Sequence, residues 1–193
     1  MKLHCLTPTL LLLLSGCGAL QPVKDLSVRH LLEPLVADRN LTASTPAIAL
    51  KRPSLPTYLN RQQLVTRAAG QLVLSDLDLW GEPLDAAVSR VTAGNLSRLT
   101  GSMNIQPVEN FTSLDYTALL ELNIARFEPD DANNLLLQGT WKLQPVSGKD
   151  ARPHFFRIAV PIPAAPDAMS GRVTAMNQAL ARLARQIVTQ ARR

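Results

Sequence analysis

A run of strict two-residue alternation in the second half of the chain limits the fold more than any other feature. From Leu135 to Leu143, every second residue is apolar or glycine, and the positions between carry Gln138, Thr140 and Lys142. A period of two is that of a β-strand with one face on a core and the other in water. The pattern therefore predicts a sheet that is covered on one face only.

Further strands are predicted on both sides of this one. The segment 116–127 alternates in the same way and is joined to it by a loop rich in turn residues, 128–134. The remaining predicted strands are 28–35, 47–50, 63–67, 71–80 and 155–162, with a turn at Ala69 and Gly70. Because neighbouring strands have short connections, we expect a mainly antiparallel sheet.

Two segments change to the helical period. Leu84, Val88 and Val91 recur at helical spacing, and Pro83 suits a first helical turn, so a helix is predicted from about Pro83 to Leu99. A second, longer helix is predicted at the end of the chain, with Asp167 as its N-cap.

The apolar stripe of the final helix has two interpretations. It steps by four and three residues alternately, through Met169, Val173, Met176, Leu180, Leu183 and Ile187. Such a stripe fits a helix packed across the sheet, and the spacing is also that of a seam for a partner helix. Strands, helix, strands and helix in this order predict a two-layer α+β domain, with two amphipathic helices on one face of a mainly antiparallel sheet.

The N-terminus has the parts of an export signal. Lys2 precedes an all-leucine run that is far shorter than the roughly 20 apolar residues needed to span a bilayer. The run ends in Leu14-Ser15-Gly16-Cys17, which resembles the lipobox of bacterial lipoproteins. That resemblance implies cleavage before Cys17 and acylation of Cys17, with chains such as palmitate. The alternative is an ordinary signal peptide with a chance cysteine.

Cysteine and charge limit what the mature chain can be. The full sequence has two cysteines. Cys5 would leave with the leader and only Cys17 would remain, so a mature protein would have no disulfide. We expect a signal peptide at 1–16, the lipidated cysteine and a flexible tether at 17–27, and a single domain at 28–193. The net charge of +5 comes from scattered residues, which disfavours nucleic acid. It fits proximity to anionic lipid, or simple solubility.

No catalytic motif is recognisable. His30 and His154 lie far apart in sequence, with no helical or hairpin spacing to an acidic partner. The chain has no Gly-x-Ser-x-Gly elbow, His-Glu-x-x-His pair or phosphate-binding loop. The pair Asp76 and Asp78, like the loop pair at 130–131, is better explained by solvated surface and turn chemistry. The chain is predicted not to be an enzyme, without metal or cofactor apart from lipid on Cys17; a periplasmic hydrolase is the disfavoured alternative.

One cluster of aromatic and charged residues stands out around positions 55–91. Tyr58 and Trp80 can each bury a ring and satisfy a polar tip. Glu82 stands near the predicted helix start and is expected to pair with Arg61 or Arg90. The candidate residues for a structural node or a partner surface are Tyr58, Arg61, Trp80, Glu82, Pro83, Arg90 and Trp141.

These segments resemble a known family. The stretches LPTYLNRQQLV at 55–65 and WGEPL at 80–84 are similar to segments of the ABC-type transport auxiliary lipoprotein family, the PqiC-like intermembrane transport lipoproteins. The lipobox, the Gly139-Thr140-Trp141 strand and the final helix extend the resemblance. Asn60 stands where the family usually has an acid, and Gln62 where it has proline.

The resemblance implies a non-catalytic role. It indicates a periplasmic lipoprotein anchored to the outer membrane that docks the conduit of an MCE-domain protein in an ABC-type lipid transport system. A homo-oligomeric ring is a hypothesis by analogy with ring-forming MCE partners. The alternative from another class is a lipoprotein chaperone or pilotin for an outer-membrane assembly machine.

Overall fold

A computed structural model describes residues 24–37, 47–111, 115–148 and 151–191, and confirms the α+β class. The strands are β1 Val28–His30, β2 Ile48–Leu50, β3 Gln63–Ala68, β4 Gln71–Trp80, β5 Ile105–Pro107, β6 Ala118–Pro129, β7 Asn134–Pro145 and β8 His154–Pro161. The helices are α1 Leu84–Thr100 and α2 Ala168–Ala191, and a short 3-10 helix spans Val108–Asn110.

The larger sheet has five strands in the order β5-β2-β6-β7-β8. The pairs β6–β7 and β7–β8 are antiparallel, as the short loops predict. Alternation along β7 is confirmed from Leu137 onward, because Leu137 and Trp141 are buried while Gln138 and Thr140 are only partly so. Before it, Leu135 and Leu136 are both buried.

The smaller sheet has three strands in the order β1-β4-β3. β3 and β4 form an antiparallel hairpin that turns at Ala69 and Gly70, both with positive φ. β1 adds to β4 in parallel, with Val28 opposite Asp78. Across the hairpin the register shifts between Gln63 and Val65, so β4 carries extra residues near its middle.

Four details of the predicted sheet are wrong. The described residues form two sheets rather than one, and β1 and β2 make parallel pairs. The strand predicted at 28–35 ends at His30, and β5 was not predicted. Three-residue strands are too short for a two-residue period to show, and parallel partners lie far apart in sequence.

Helix α1 begins and ends where its sequence favours. Pro83 is the N-cap residue and Asp85 lies in the first turn, where the helix dipole favours a negative charge. Gly101 adopts the left-handed conformation after the last turn, with φ of 75°, and its N–H donates to the Ser97 carbonyl at 2.8 Å. The predicted apolar face is buried at Leu84, Val88, Val91 and Leu96.

Helix α2 packs on the protein's own core. The predicted N-cap is confirmed, since Asp167 Oδ1 accepts the Ser170 N–H at 2.7 Å. All six residues of the predicted stripe, from Met169 to Ile187, are buried with α1 and the core face of the larger sheet. The packing interpretation of that stripe is therefore confirmed, and the seam is filled by the chain itself.

The segment after β1 crosses the helices instead of extending the sheet. Leu32 is fully buried there, and helix side chains bind the backbone around it. Asn95 Oδ1 accepts the N–H groups of Leu35 and Val36 at 3.0 and 3.1 Å, and Asn177 Oδ1 accepts that of Glu33 at 2.9 Å. These bonds satisfy groups that a strand would satisfy with a neighbouring strand.

Gly94 explains how this segment can approach α1 so closely. A Cβ atom at Gly94 would stand 3.0 Å from Cγ of Pro34. Arg98 adds a hydrogen bond from Nη1 to the Pro34 carbonyl at 3.2 Å. Glycine inside a helix lowers helix stability, but here Gly94 allows the Pro34 segment to pack closely on α1.

Candidate functional site

The candidate site lies where β1, β4 and the start of α1 meet. Trp80 ends β4 and is almost fully buried. The backbone N–H of Trp80 donates to the Gln62 carbonyl at 2.7 Å, and the backbone N–H of Gly81 donates to the His30 carbonyl at 2.9 Å. Because Pro83 then starts the helix, three elements are fixed within four residues, and we call this region the Trp80 junction.

An ion pair closes one side of the Trp80 junction. Arg90 binds the carboxylate of Glu82 through both Nε, at 3.2 Å from Oε1, and Nη2. Nη2 also donates to the Leu32 carbonyl at 2.8 Å. The hydrogen bonds to Glu82 hold the pKa of Arg90 above its ordinary value. Of the two predicted partners of Glu82, the structure selects Arg90.

A shallow cleft of about 400 Å³ opens at the Trp80 junction. It is lined by Arg29, Asn60, Arg61, Gln62, Trp80, Gly81, Glu82 and Pro83. Arg61 is exposed, and its guanidinium makes no ion pair with any residue that the structure describes. The cleft thus combines an apolar floor with an available cation and a carboxylate, a surface suited to a polar segment of a partner.

The structure brings four of the candidate residues to this cleft, and a fifth to its edge. Arg61, Trp80, Glu82 and Pro83 line it, and Arg90 is bound to Glu82. Tyr58 and Trp141 lie elsewhere and have different surroundings.

Tyr58 belongs to a buried carboxylate cluster that sequence reasoning missed. Glu128 is fully buried, and its Oε2 accepts the Tyr58 hydroxyl at 3.0 Å and the Phe127 N–H at 2.9 Å. Its Oε1 accepts Nε of Arg126 at 3.0 Å and Nε of Arg67 at 3.3 Å. Burial, followed by the negative charge of Glu128, raises the pKa of the Tyr58 phenol.

The Glu128 cluster joins the two sheets. Arg67 comes from β3 in the smaller sheet, whereas Arg126 and Glu128 come from β6 in the larger one. A buried carboxylate without such donors would be strongly disfavoured. The sequence does not indicate this role, because Glu128 begins a run of turn-forming residues that predicts a loop. Its partners Tyr58 and Arg67 are more than 60 residues away and share no pattern with it.

Trp141 is a core residue with a stacked cover. Its ring is 2% exposed and lies parallel to the His154 imidazole, with ring centroids 4.2 Å apart. The neighbouring Gly139 has a steric role, since a Cβ atom there would stand 2.1 Å from the Asn123 carbonyl oxygen. The Gly139-Thr140-Trp141 motif therefore supports packing at the centre of the larger sheet.

A second polar group near the Trp80 junction links β1 to β4. His30 Nε2 lies 2.8 Å from Asp78 Oδ1, and Ser75 Oγ donates to Asp78 Oδ2 at 2.7 Å. Burial acts to raise the pKa of Asp78, but the hydrogen bonds from Ser75 and His30 outweigh it and hold this pKa below its ordinary value. The parallel pairing of β1 and β4 creates this contact, so sequence spacing did not reveal it.

This His30–Asp78–Ser75 group has the wrong order for nucleophilic catalysis. An activated serine needs a base bonded to its own oxygen, with the acid behind that base. Here the carboxylate stands between the serine and the histidine. Ser75 Oγ also accepts the Asp78 N–H at 2.9 Å, so the group stabilises the irregular part of β4.

Two searches of the described residues found no further site. In ranges 24–37, 47–111, 115–148 and 151–191, no three histidine, cysteine or acidic side chains converge as metal ligands would. Within the same residues, neither helix combines the length and the apolar character needed to cross a membrane. Cys17 and the predicted leader lie outside the described residues.

Comparisons with known proteins agree with this architecture. Two crystal structures are similar: that of an uncharacterised protein (TM-score 0.65, 18% identity, 84% of this chain and 99% of the other), and that of a Xanthomonas campestris protein of the family model DUF330 (TM-score 0.61, 15% identity, 84% and 90%). At these identities the likeness concerns the fold alone. No curated protein sequence matches the chain.

Fold and junction together define a class, a two-helix α+β domain with a buried tryptophan at a strand-to-helix corner. The chain belongs to the family of ABC-type transport auxiliary lipoprotein components, whose model matches residues 30–188. This confirms the family resemblance of the two motif segments. Members of this family are membrane-associated lipoproteins that assist an ABC-type transporter.

Proposed function

We propose that this protein is a non-catalytic lipoprotein of the outer membrane that docks an MCE-domain conduit of an ABC-type lipid transport system. The observation that carries the proposal is the family match, which spans both motif segments, α1 and most of α2. The finer role goes beyond the family description and rests on the sequence motifs and the Trp80 junction.

The anchor in this proposal is Cys17. Cleavage after residue 16 would free the amino group of Cys17. Acyl chains such as palmitate, linked through the thioether and the amide of Cys17, would then hold the protein in the membrane. One acyl chain gives marginal membrane binding, whereas two or more give a stable anchor. Residues 17–27 then form the tether, and 28–193 form a single periplasmic domain.

The sorting of the anchored protein rests on Gly18. In lipoproteins of this kind an aspartate after the lipidated cysteine favours retention in the inner membrane, and Gly18 therefore favours the outer membrane. Gly18→Asp should move the protein to inner-membrane fractions on a sucrose gradient. A Gly18→Asp protein that stays in outer-membrane fractions would contradict this sorting rule.

The docking surface in this proposal is the cleft of the Trp80 junction. Its floor is rigid, because Trp80 and Pro83 are fixed by backbone bonds and by the start of α1. Arg61 supplies an exposed cation at the rim, which suits an acidic or carbonyl-rich segment of the conduit. The absence of a recognisable catalytic motif agrees with a binding role.

Co-purification with charge-reversed variants tests this docking. A tagged full-length protein is purified from cells that contain the complete transport system, and recovery of the MCE-domain protein is measured. Arg61→Glu should reduce recovery about tenfold or more. Arg157→Glu, an equal reversal on the exposed face of β8, should leave it unchanged. Failure to recover the partner with the unaltered protein, or equal recovery with Arg61→Glu, would refute docking at this cleft.

A further inference from the structure

The β3–β4 hairpin exposes apolar side chains that a domain surface normally buries. Four apolar side chains within a six-residue stretch of β4 are each 40–51% exposed: Leu72, Val73, Leu74 and Leu77. Isolated exposed leucines are ordinary, but a contiguous apolar strand marks a contact surface. The question is which medium or partner covers it.

The apolar character extends to both faces of the hairpin. Val73 pairs with Thr66, while Leu72 and Leu74 pair with Arg67 and Val65. Since successive residues of a strand point to opposite faces, Val73 lies on one face and the two leucines lie on the other. A protein docked against one face would leave the other in water, whereas an apolar medium would cover both.

Charge is scarce on the same hairpin. From Gln63 to Ser75 the only charged residue is Arg67, whose Nε is bound to Glu128. Exposed strands in water usually carry charges that prevent association. The hairpin lacks this protection while the outer face of β8 carries Arg157.

The direction of β1 places the N-terminal chain on the same side as the hairpin turn. β1 runs parallel to β4, with Val28 opposite Asp78, so residues before Val28 approach from the end of β4 that begins at Gln71. Leu26 and Val28 are themselves 62% and 52% exposed and continue the apolar surface. Val28 follows Cys17 by eleven peptide steps, a span of at most about 38 Å.

We propose that the turn end of the β3–β4 hairpin is immersed in the interfacial region of the lipid leaflet that holds the Cys17 anchor. Leu72, Val73 and Leu74 would contact acyl chains, and Leu26 and Val28 would lie near the headgroups. This inference rests on the lipid anchor of the proposed function. It adds an orientation, with the hairpin turn toward the membrane and the Trp80 junction about 20 Å away, because β4 spans only the length of the six-residue β3 with which it pairs.

The charges near the hairpin predict how this contact depends on salt. Lys24, Arg29 and Arg67 are opposed by Asp25, Asp76 and Asp78, which leaves no net charge. Burial of apolar area, rather than attraction to anionic lipid, therefore supplies most of the binding. Raising the salt concentration should leave the contact in place.

Depth-dependent fluorescence quenching tests the inference on the full lipoprotein. Leader removal takes Cys5 and acylation uses Cys17, so an introduced cysteine is the sole free thiol of the mature protein. Val73→Cys is labelled with the fluorophore NBD and reconstituted in phosphatidylethanolamine–phosphatidylglycerol vesicles that carry nitroxide-labelled acyl chains. The matched control is Val146→Cys, which is 59% exposed after β7.

The expected result is quenching at least about twofold stronger at position 73 than at 146, unchanged in 0.5 M NaCl. Equal quenching at the two positions overturns the inference. Protection of position 73 from soluble iodide without nitroxide quenching also overturns it, because a protein partner would then cover the hairpin.

The intact mass of the same sample separates this inference from the proposed anchor. A mass that includes acyl chains, with equal quenching at 73 and 146, rejects the hairpin contact and leaves the anchor intact. A mass without acyl chains rejects the anchor. Cys17 would then be a free thiol that carries NBD as well, and the hairpin contact, which rests on the anchor, is rejected together with it.

Discussion

The two sheets of this protein meet their surroundings in opposite ways. The five-stranded sheet buries its core face under both helices, and Leu135, Leu137 and Trp141 are at most 2% exposed. The three-stranded sheet leaves most of β4 exposed although that strand is as rich in leucine as β7. Apolar composition therefore does not determine burial here; the elements that pack against each strand determine it.

This difference separates stability from function within one chain. The buried residues of the larger sheet are explained by packing, so changing them should destabilise the protein. The exposed leucines of β4 contribute little to that core, and their presence calls for an explanation outside the folded chain. The Glu128 cluster joins the two regions, and through it the stability of the smaller sheet depends on that of the larger one.

Gly139→Ala should give the largest loss of stability. Its new Cβ atom would overlap the backbone oxygen of Asn123, and neither strand can move without breaking the ladder. We expect a loss of about 3 kcal/mol or more in the free energy of unfolding, measured by urea titration. Gly148→Ala meets no atom within 4 Å but needs positive φ, and should cost only about 1 kcal/mol. Equal losses would contradict the steric role.

Glu128→Gln should weaken the joint between the sheets. The amide keeps the shape but removes the charge that Arg67 and Arg126 bind, and we expect a loss of about 1–3 kcal/mol. Hydrogen exchange should become faster in β3. The control Glu121→Gln breaks the exposed pair with Lys142, and should change stability by less than about 0.5 kcal/mol. An effect no larger than that of the control would show that the sheets are joined by apolar packing alone.

Asn95→Ala should loosen the segment that crosses the helices. The buried N–H group of Val36 and the partly buried one of Leu35 would lose their acceptor, at a cost of about 1–3 kcal/mol. Asn177→Ala releases only the Glu33 N–H, and a smaller loss is expected from it in the same urea titration. The reverse order of the two losses would mean that the segment is held mainly by its contact with α2.

Acid should destabilise the irregular part of β4 through Asp78. The pKa of Asp78 is lower in the folded protein than in the unfolded chain, so its stabilising effect is complete above the unfolded value of about 3.8 and is lost as the pH falls through the lower folded value. Unfolding free energies between pH 6 and pH 2.5 should show this loss in the unaltered protein and a smaller one in Asp78→Asn. Equal losses in the two proteins would contradict this role of Asp78.

Leu72→Ser should have the smallest effect on stability. Leu72 is 42% exposed at the start of β4, and a change within about 0.5 kcal/mol is expected. The same substitution at the buried Leu137 of β7 should cost more than about 3 kcal/mol. Thermal melting of the two variants checks the contrast, and a large loss from Leu72→Ser would mean that the hairpin belongs to the core.

Patterns with a short period were readable from the sequence. The alternation of β7, the helical stripe of α2 and the capping residue Asp167 all depend on neighbours in the chain, and each is confirmed. The turn at Ala69 and Gly70 and the limits of β4 are confirmed for the same reason.

Features that depend on distant partners were not readable. The parallel pairing of β1 with β4 brings His30 to Asp78, although 48 residues separate them. The crossing segment after β1 follows extended sequence, but its hydrogen bonds come from Asn95 and Asn177 on two helices. Glu128 looked like a turn residue because its burial depends on Arg67 from the other sheet.

The candidate site was readable in part. The motif segments identified Arg61, Trp80, Glu82 and Pro83, which do share a cleft, and offered Arg90 as one of two partners for Glu82. Tyr58 and Trp141 were grouped with them by residue type, whereas the structure places each in a separate packing role. Residue type alone does not tell an aromatic ring at a partner surface from one in the core.

The most direct test of this account is photo-crosslinking in cells from the two ends of β4. A photoreactive amino acid is placed at position 60, which lines the cleft beside Arg61, or at position 73, on the hairpin, with position 146 as control. The account predicts a covalent product with the MCE-domain protein from position 60, and lipid products without that protein from position 73. A product with the MCE-domain protein from position 73 and none from position 60 would contradict it.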